Sequence, residues 1–326
     1  MSSSGAPAQS TTSRRSRWLA GVELRNYGIV LSFLTLFIGL SFASDKFLTK
    51  RNLLNVLDQS APVGIIACGA TLCIIAGSFD LSVGAIFGVS AVVACKVAIA
   101  TNPWLGIVVG MLSGAALGLI NAVIVNQIRI NSFIATLASS IVFRGAAILV
   151  TGGMIVTVSD KSFKILGTRR LFEAKYSVFV YLAFVLITWF ILTRTTLGRY
   201  IYAVGGNAEA ARLSGIQVGL IRGATFVISG LSAGIAGVLA ASRTGSAQPD
   251  LGTGLELSAI AAAVVGGTSI LGGEGAIWRA VLGVLILAMI GNGFNLLDIN
   301  TTYQQVTQGL LILIAVGADQ LVRRRA

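Results

Sequence analysis

Charged residues are spaced so widely along this chain that ten apolar runs stand between residues 26 and 318. That spacing limits the fold more than any motif does. A helix of about 20 apolar residues crosses the hydrocarbon core of a bilayer. Within that core the backbone must satisfy its own N–H and C=O groups, which a helix does. The runs cover residues 26–44, 59–79, 81–100, 104–126, 131–151, 176–193, 223–242, 257–271, 280–297 and 299–318. The third includes Lys96, whose ammonium can reach the interface along its own stem. Pro62 is expected near the start of the second, where its missing N–H is harmless. The chain is 55% hydrophobic and 11% charged, whereas soluble domains carry about 25% charge. Its mean hydropathy is +0.86. The sequence therefore predicts an all-α polytopic membrane protein of about ten transmembrane helices.

Net charge is +12. In a soluble protein this would point to nucleic acid. Here it reads as Lys and Arg kept on the cytoplasmic side, and no nucleic-acid partner is expected. Arg14, Arg15, Arg17 and Arg25 precede the first run, and Arg323, Arg324 and Arg325 follow the last, which puts both termini in the cytoplasm. Residues 1–26 form a disordered basic tail, 27–320 a single transmembrane domain with a cytoplasmic loop at 194–222, and 321–326 a second basic tail. Ser13-Arg14-Arg15-Ser16-Arg17 has the outline of a twin-arginine signal, but Glu23 and Arg25 interrupt the apolar run that would have to follow. One loop opposes the charge rule. Residues 151–175 hold Lys161, Lys164, Arg169, Arg170 and Lys175, yet fall on the outer side.

One of the few long polar interruptions, residues 198–216, carries its own start and stop signals. Asn207 is an N-cap residue, Glu209 lies in the first turn where the helix dipole favours a negative charge, and Gly215 suits a left-handed C′ position. About two turns of helix lie between them, too few to be stable alone. Ala210, Ala211 and Ser214 give a low-relief face, and Glu209 with Arg212 forms an i,i+3 pair. Such a plug must be gripped by another protein.

Two Gly-rich stretches interrupt apolar runs, residues 76–84 and 266–275. Broken helices at membrane depth must lie in protein or beside water, and they often line a pathway. Asp80 and Ser82 in the first stretch, together with Asn131, Phe133, Arg144, Asn292 and Asn295, are candidates for a translocation path that suits hydroxyl-rich cargo. Asp80 is also readable as an N-cap, and each Asn as an interhelical hydrogen bond. Gly106, Gly110, Gly114 and Gly118 form an i,i+4 ridge, as do Gly84 with Gly88 and Gly230 with Gly234, which predicts tight helix crossings. Histidine is absent, and Cys68, Cys73 and Cys95 sit in apolar runs as small hydrophobes. No catalytic residue or metal set emerges, and the Gly266–Gly275 stretch lacks the Gly-Lys-Ser/Thr ending of a phosphate loop. Any energy must come from a partner.

Four stretches in order carry a family resemblance. They are Gly77-Ser78-Phe79-Asp80-Leu81-Ser82-Val83-Gly84; Asn131 to Leu137 with Arg144-Gly145; Gly198-Arg199, Gly205-Gly206-Asn207 and Glu209 to Gly215; and Gly266 to Gly275. In these the chain resembles the permease subunit of bacterial ABC importers for monosaccharides of the ribose, xylose and galactose group. Ser78 departs from a glycine of the first motif. No proline follows Gly215, so the Glu-Ala-Ala motif matches only in its short form. The resemblance implies a second permease copy with the path between the two, in a bacterial inner membrane. It implies a cytoplasmic ATPase that binds the ATP and Mg, with no cofactor in this chain, and an extracytoplasmic sugar-binding protein. It implies that Asn207, Glu209, Ala210, Ala211, Arg212 and Gly215 dock into the ATPase. Three other readings compete. A permease for branched-chain amino acids or nucleosides shares the architecture, an ion-coupled transporter needs a titrating intramembrane carboxylate, and a receptor or scaffold needs no ATPase.

Overall fold

The computed structural model describes residues 12–300, with side chains from residue 28 onward, and scattered residues between 303 and 317. Most of the expected tenth span, residues 299–318, and the basic tail at 321–326 lie outside the described residues, as do residues 1–11. The tail expected to be disordered over 1–26 is helical from Thr12, because α1 runs Thr12–Ala43 without a break.

Among the described residues, seven helices are long and apolar enough to cross a membrane: α2 (Lys50–Ile75), α3 (Val83–Ala100), α4 (Pro103–Gln127), α5 (Ser132–Thr151), α7 (Tyr176–Arg194), α10 (Val218–Thr244) and α12 (Ile277–Leu296). The apolar part of α1, Gly28–Ala43, and helix α11, Leu255–Val265, are shorter. The protein is thus an all-α, multi-pass membrane protein. The expected eighth span is corrected to an 11-residue half-helix. Gly266 and Gly267 end it early, and Gly267 has φ +78°.

Helix α2 is the core. Its central window is 83% buried, against 28% for α5 and 33% for α4 and α7. The difference follows the side chains. Alanines, Cys68, Cys73 and four isoleucines of α2 are packed on all sides, while α5 and α7 turn Ile141, Val142, Leu186 and Ile187 outward. Outward Leu and Ile are at no disadvantage in lipid. The second span also starts earlier than its lack of charge suggested. Helix α2 begins at Lys50 behind the Thr49 cap, so Pro62 sits in its interior and not near its start.

Close crossings are made by the glycine ridge of α4. A Cβ on Gly114 would lie 2.7 Å from the Cα of Gly234, and one on Gly106 2.7 Å from the Cβ of Ala98. The α4 ridge therefore serves both α3 and α10. Gly84 and Gly88 behave otherwise. Gly84 meets the Glu256 side chain at the start of α11 and the Gly252 carbonyl, and Gly88 meets the backbone of Pro249 and Leu251 in the chain leading to α11.

At the far end of α10, strand β1 (Val156–Thr157) pairs antiparallel with β4 (Ser246–Ala247). Beneath that pair Asp58 of α2 is almost fully buried. Its carboxylate accepts from Lys175 Nζ (2.6 Å) and Ser177 Oγ (2.5 Å), and Arg243 Nη2 forms an ion pair with it at 3.0 Å. The basic loop is thus anchored by a buried carboxylate 117 residues away from Lys175 in sequence. Removing one member of a buried ion cluster leaves uncompensated charge, which costs about 3 kcal/mol. Asp58→Ala should therefore lower the unfolding midpoint in detergent by several degrees. Lys50→Ala, which breaks only the exposed pair with Glu173, should leave it unchanged.

Candidate functional site: a helical plug joined to two helix breaks

The predicted plug is present. Helix α9 covers Ala208–Leu213. Asn207 Oδ1 accepts from the Ala210 N–H at 2.9 Å, and Arg212 Nη2 donates to Glu209 Oε1 at 2.6 Å. At the other end the Ile216 N–H bonds the Ala211 carbonyl, and the Gly215 N–H that of Arg212. This is a Schellman closure. It needs a left-handed residue, and Gly215 has φ +84°. Ala210, Arg212 and Ser214 face outward, while Ala211 is packed against the body of the protein.

What comes before α9 was not legible as structure. The stretch expected as loop at 194–222 is mostly helical, since α8 occupies Thr196–Gly206. Its Gly198, Ile201 and Val204 are buried, a spacing of three on one helical face. That periodicity was available in the sequence. Beyond it, Gly205 and Gly206 bring the end of α8 onto both Gly-rich breaks at once. A Cβ built on Gly205 would fall on the Ile75 carbonyl oxygen and 2.6 Å from the Gly273 nitrogen. One on Gly272 would lie 3.0 Å from the Gly205 oxygen and 3.0 Å from the Gly77 Cα. The breaks also bond one another, Gly273 N–H donating to the Ile75 carbonyl at 2.8 Å. Tyr202 Oη of α8 donates to the Gly275 carbonyl at 2.7 Å. Burial pushes its phenol above the usual value, opposed by Arg279, so it stays a neutral donor. Arg222, at the start of α10, donates to the Ala76 carbonyl at 3.3 Å. Three backbone segments thus meet where no side chain fits, immediately before the cap of α9.

The first break continues into a buried polar cluster. Asp80 does not cap α3, whose N-cap is Ser82. Instead Asp80 Oδ1 accepts from the Ser82 N–H (3.0 Å) and hydroxyl (2.6 Å). Asn121 Nδ2 of α4 donates to the Ser82 hydroxyl at 2.7 Å. Ser132 and Thr136 of α5 accept from the N–H groups of Phe79 (3.1 Å) and Leu81 (3.0 Å). The Phe79 and Leu81 N–H groups of the unwound stretch are therefore satisfied by α5, as irregular backbone at membrane depth requires.

Of the remaining candidates, Asn131 and Phe133 flank the Ser132 of this cluster, and Arg144, Asn292 and Asn295 make no bond within it. Asn131 caps α5, accepting from the Phe133 N–H at 3.0 Å, and Phe133 is exposed. Arg144 is half-buried on α5. Asn292 exchanges hydrogen bonds with Asn52 of α2 at 2.8 and 3.0 Å, the interhelical use of an asparagine. Asn295 is exposed one turn further on. The structure brings Asp80 and Ser82 together, places Asn131 and Phe133 on either side of the bonded Ser132, and leaves Arg144, Asn292 and Asn295 separate. Among the described residues no group of three or more carboxylate, Cys or His side chains is placed to hold a metal.

A multi-pass helical body, broken at two glycine-rich points that both rest on a capped surface helix, is the architecture of a transport permease. Residues 52–316 match the family described as branched-chain amino acid transport system, permease component, and the chain belongs to it. It is 39% identical over 308 residues to the ribose import permease protein of Escherichia coli (strain K12), covering 93% of this chain and 96% of that protein. It is 39% identical over 286 residues to the D-allose transport system permease protein of the same organism, covering 87% and 88%. It is 39% identical over 299 residues to the L-arabinose ABC transporter permease protein of Azospirillum brasilense, covering 91% and 88%. No solved structure matches the chain.

Proposed function

We propose that the chain is the membrane permease subunit of an ATP-driven monosaccharide importer in a bacterial inner membrane. Its relatives named for ribose, allose and arabinose transport support sugar over amino acid as cargo. The chain performs no covalent chemistry. A separate cytoplasmic ATPase binds ATP and Mg, and an extracytoplasmic binding protein delivers the sugar.

The observation that carries the coupling is the contact of α8 with both breaks, directly ahead of α9. Closure of the ATPase around Asn207–Gly215 moves α9. The end of α8 then moves against Ile75–Gly77, where α2 ends just ahead of the polar cluster, and against Gly272–Gly273, between α11 and α12. Backbone against backbone leaves no soft side chain to absorb the displacement. The face bearing α9 is cytoplasmic. Helix α10 rises from it for 27 residues, about 40 Å, to the β1–β4 pair on the outer face. In that frame the expected count of about ten crossings, one of them made by the half-helix α11 together with the chain leading into it, puts both termini inside. Two copies form the path between them, lined by residues such as Phe133 and Arg144.

The test is uptake in liposomes holding the permease, its ATPase and the binding protein. Labelled pentose or hexose should accumulate only with ATP on the ATPase side, and collapsing the proton gradient should change nothing. Gradient-driven uptake without the ATPase would overturn the reading. Leucine taken up in place of sugar would overturn the cargo assignment.

A further inference from the structure

On the outer face, residues 169–176 form a hairpin that the transport path does not explain. Strands β2 (Arg170–Leu171) and β3 (Ala174–Lys175) pair directly, so Phe172 and Glu173 are the two central residues of the turn. Both have positive φ, +48° and +70°. Turns of this kind favour Asn-Gly, because a side chain at positive φ crowds its own backbone. Phe172 is nevertheless 85% exposed. It is a large apolar ring held out on a strained tip. Strain of that sort persists where the surroundings over-determine it, and it clusters at functional positions.

The surroundings here are rigid and charged. The hairpin's base is held by Lys175 and Ser177 on the buried Asp58, and by the Tyr176 N–H bonded to the Arg169 carbonyl at 3.0 Å. Beside it lies a pocket of about 360 Å³ lined by Lys50, Arg51, Asp58, Arg170, Glu173 and Lys175. Asp58 takes Lys175 and Arg243, and Glu173 takes Lys50. Arg51 and Arg170 have no ion-pair partner among the described residues. Arg169 and Lys161 are exposed around the same loop.

An exposed aromatic anchor within a cationic rim is the arrangement of an interface hot spot. We infer that the Phe172 hairpin is the docking point for the extracytoplasmic sugar-binding protein, whose matching surface offers carboxylates around an apolar pocket. The inference rests on the importer reading above. An anionic lipid surface fits the hairpin less well, because the pocket of about 360 Å³ beside the ring is a concavity that a protruding acidic side chain enters and a flat headgroup layer does not. The positive loop on the outer side is then explained as a steering surface for an acidic partner.

The test uses the whole permease–ATPase complex in nanodiscs, with ATPase rate measured as the binding protein is titrated. Asparagine tolerates the left-handed turn, so Phe172→Asn removes the ring while easing the backbone. Its thermal midpoint should be equal to wild type or higher and its basal ATPase rate unchanged. Half-maximal stimulation should need about tenfold more binding protein. Arg51→Glu with Arg170→Glu should do the same, and should flatten the dependence of stimulation on salt. Wild-type stimulation curves from these stable variants would overturn the docking assignment alone. A wild-type complex with no response to the binding protein would overturn the importer reading and the docking assignment with it. A defect seen only in phosphatidylglycerol discs and absent in phosphatidylcholine discs would assign the hairpin to the membrane, and overturn the proposal.

Discussion

Gly215→Arg should leave the permease inserted and folded while abolishing recovery of the ATPase and all sugar uptake. The reasoning separates what the residue does for its own chain from what it does for a partner. Within the chain, Gly215 closes the Schellman turn at φ +84°, and no atom lies within 4 Å of the place a Cβ would take. An arginine there carries only the left-handed backbone penalty, about 1–2 kcal/mol, which a bundle of this size absorbs. Outside the chain the same open space is the region a docked partner must fill, and a guanidinium on a long stem prevents close approach. Gly215→Asn is the control, since asparagine accepts the left-handed turn and adds little bulk. Association should fall strongly for arginine and weakly for asparagine. Equal recovery of ATPase with both variants and wild type would show that α9 is not the grip.

Gly205→Val should give the converse phenotype. The ATPase still binds, because Asn207 to Gly215 is untouched, but ATP hydrolysis no longer drives uptake. A Cβ at Gly205 lands on the Ile75 carbonyl and against the Gly273 nitrogen, both of them backbone atoms that cannot rotate away. The end of α8 must retreat from both breaks together, and the contact between plug and bundle is lost. Gly206→Ala supplies the neighbouring control, because its added methyl meets nothing within 4 Å. It should transport normally. If Gly205→Val purifies with ATPase and transports at the wild-type rate, the triple junction does not carry the motion.

Some of this architecture was legible because it depends on local chemistry alone. The cap at Asn207, the Glu209–Arg212 pair and the left-handed Gly215 each involve residues a few positions apart, and each is present as read. The α4 ridge was legible because glycines four apart must share a helix face, and it does meet Gly230 and Gly234. Boundaries failed where polar residues sit inside helices. Helix α2 includes Lys50, Arg51 and Asp58, since Asp58 finds partners in two distant elements. Asp80 was readable as a cap from its neighbours Leu81 and Ser82, and its carboxylate does bond Ser82, but the donor that joins Ser82 to α4, Asn121, lies 39 residues away.

The sequence by itself determined the class of protein. Burying so much apolar backbone in lipid leaves helices as the answer, and four motifs in order point to one permease family. It also determined the plug, whose hydrogen bonds close within ten residues of chain. Only the tertiary structure decided what the plug touches. Gly77, Gly205 and Gly272 are separated by more than sixty residues at each step, and a glycine announces close approach without naming what approaches. The same holds at the other face. Five basic residues at 151–175 oppose the charge rule, and the fold pairs one of them, Lys175, with the buried Asp58. Electrostatic pairing acts through a few ångströms of space, and distance along the chain carries no record of it.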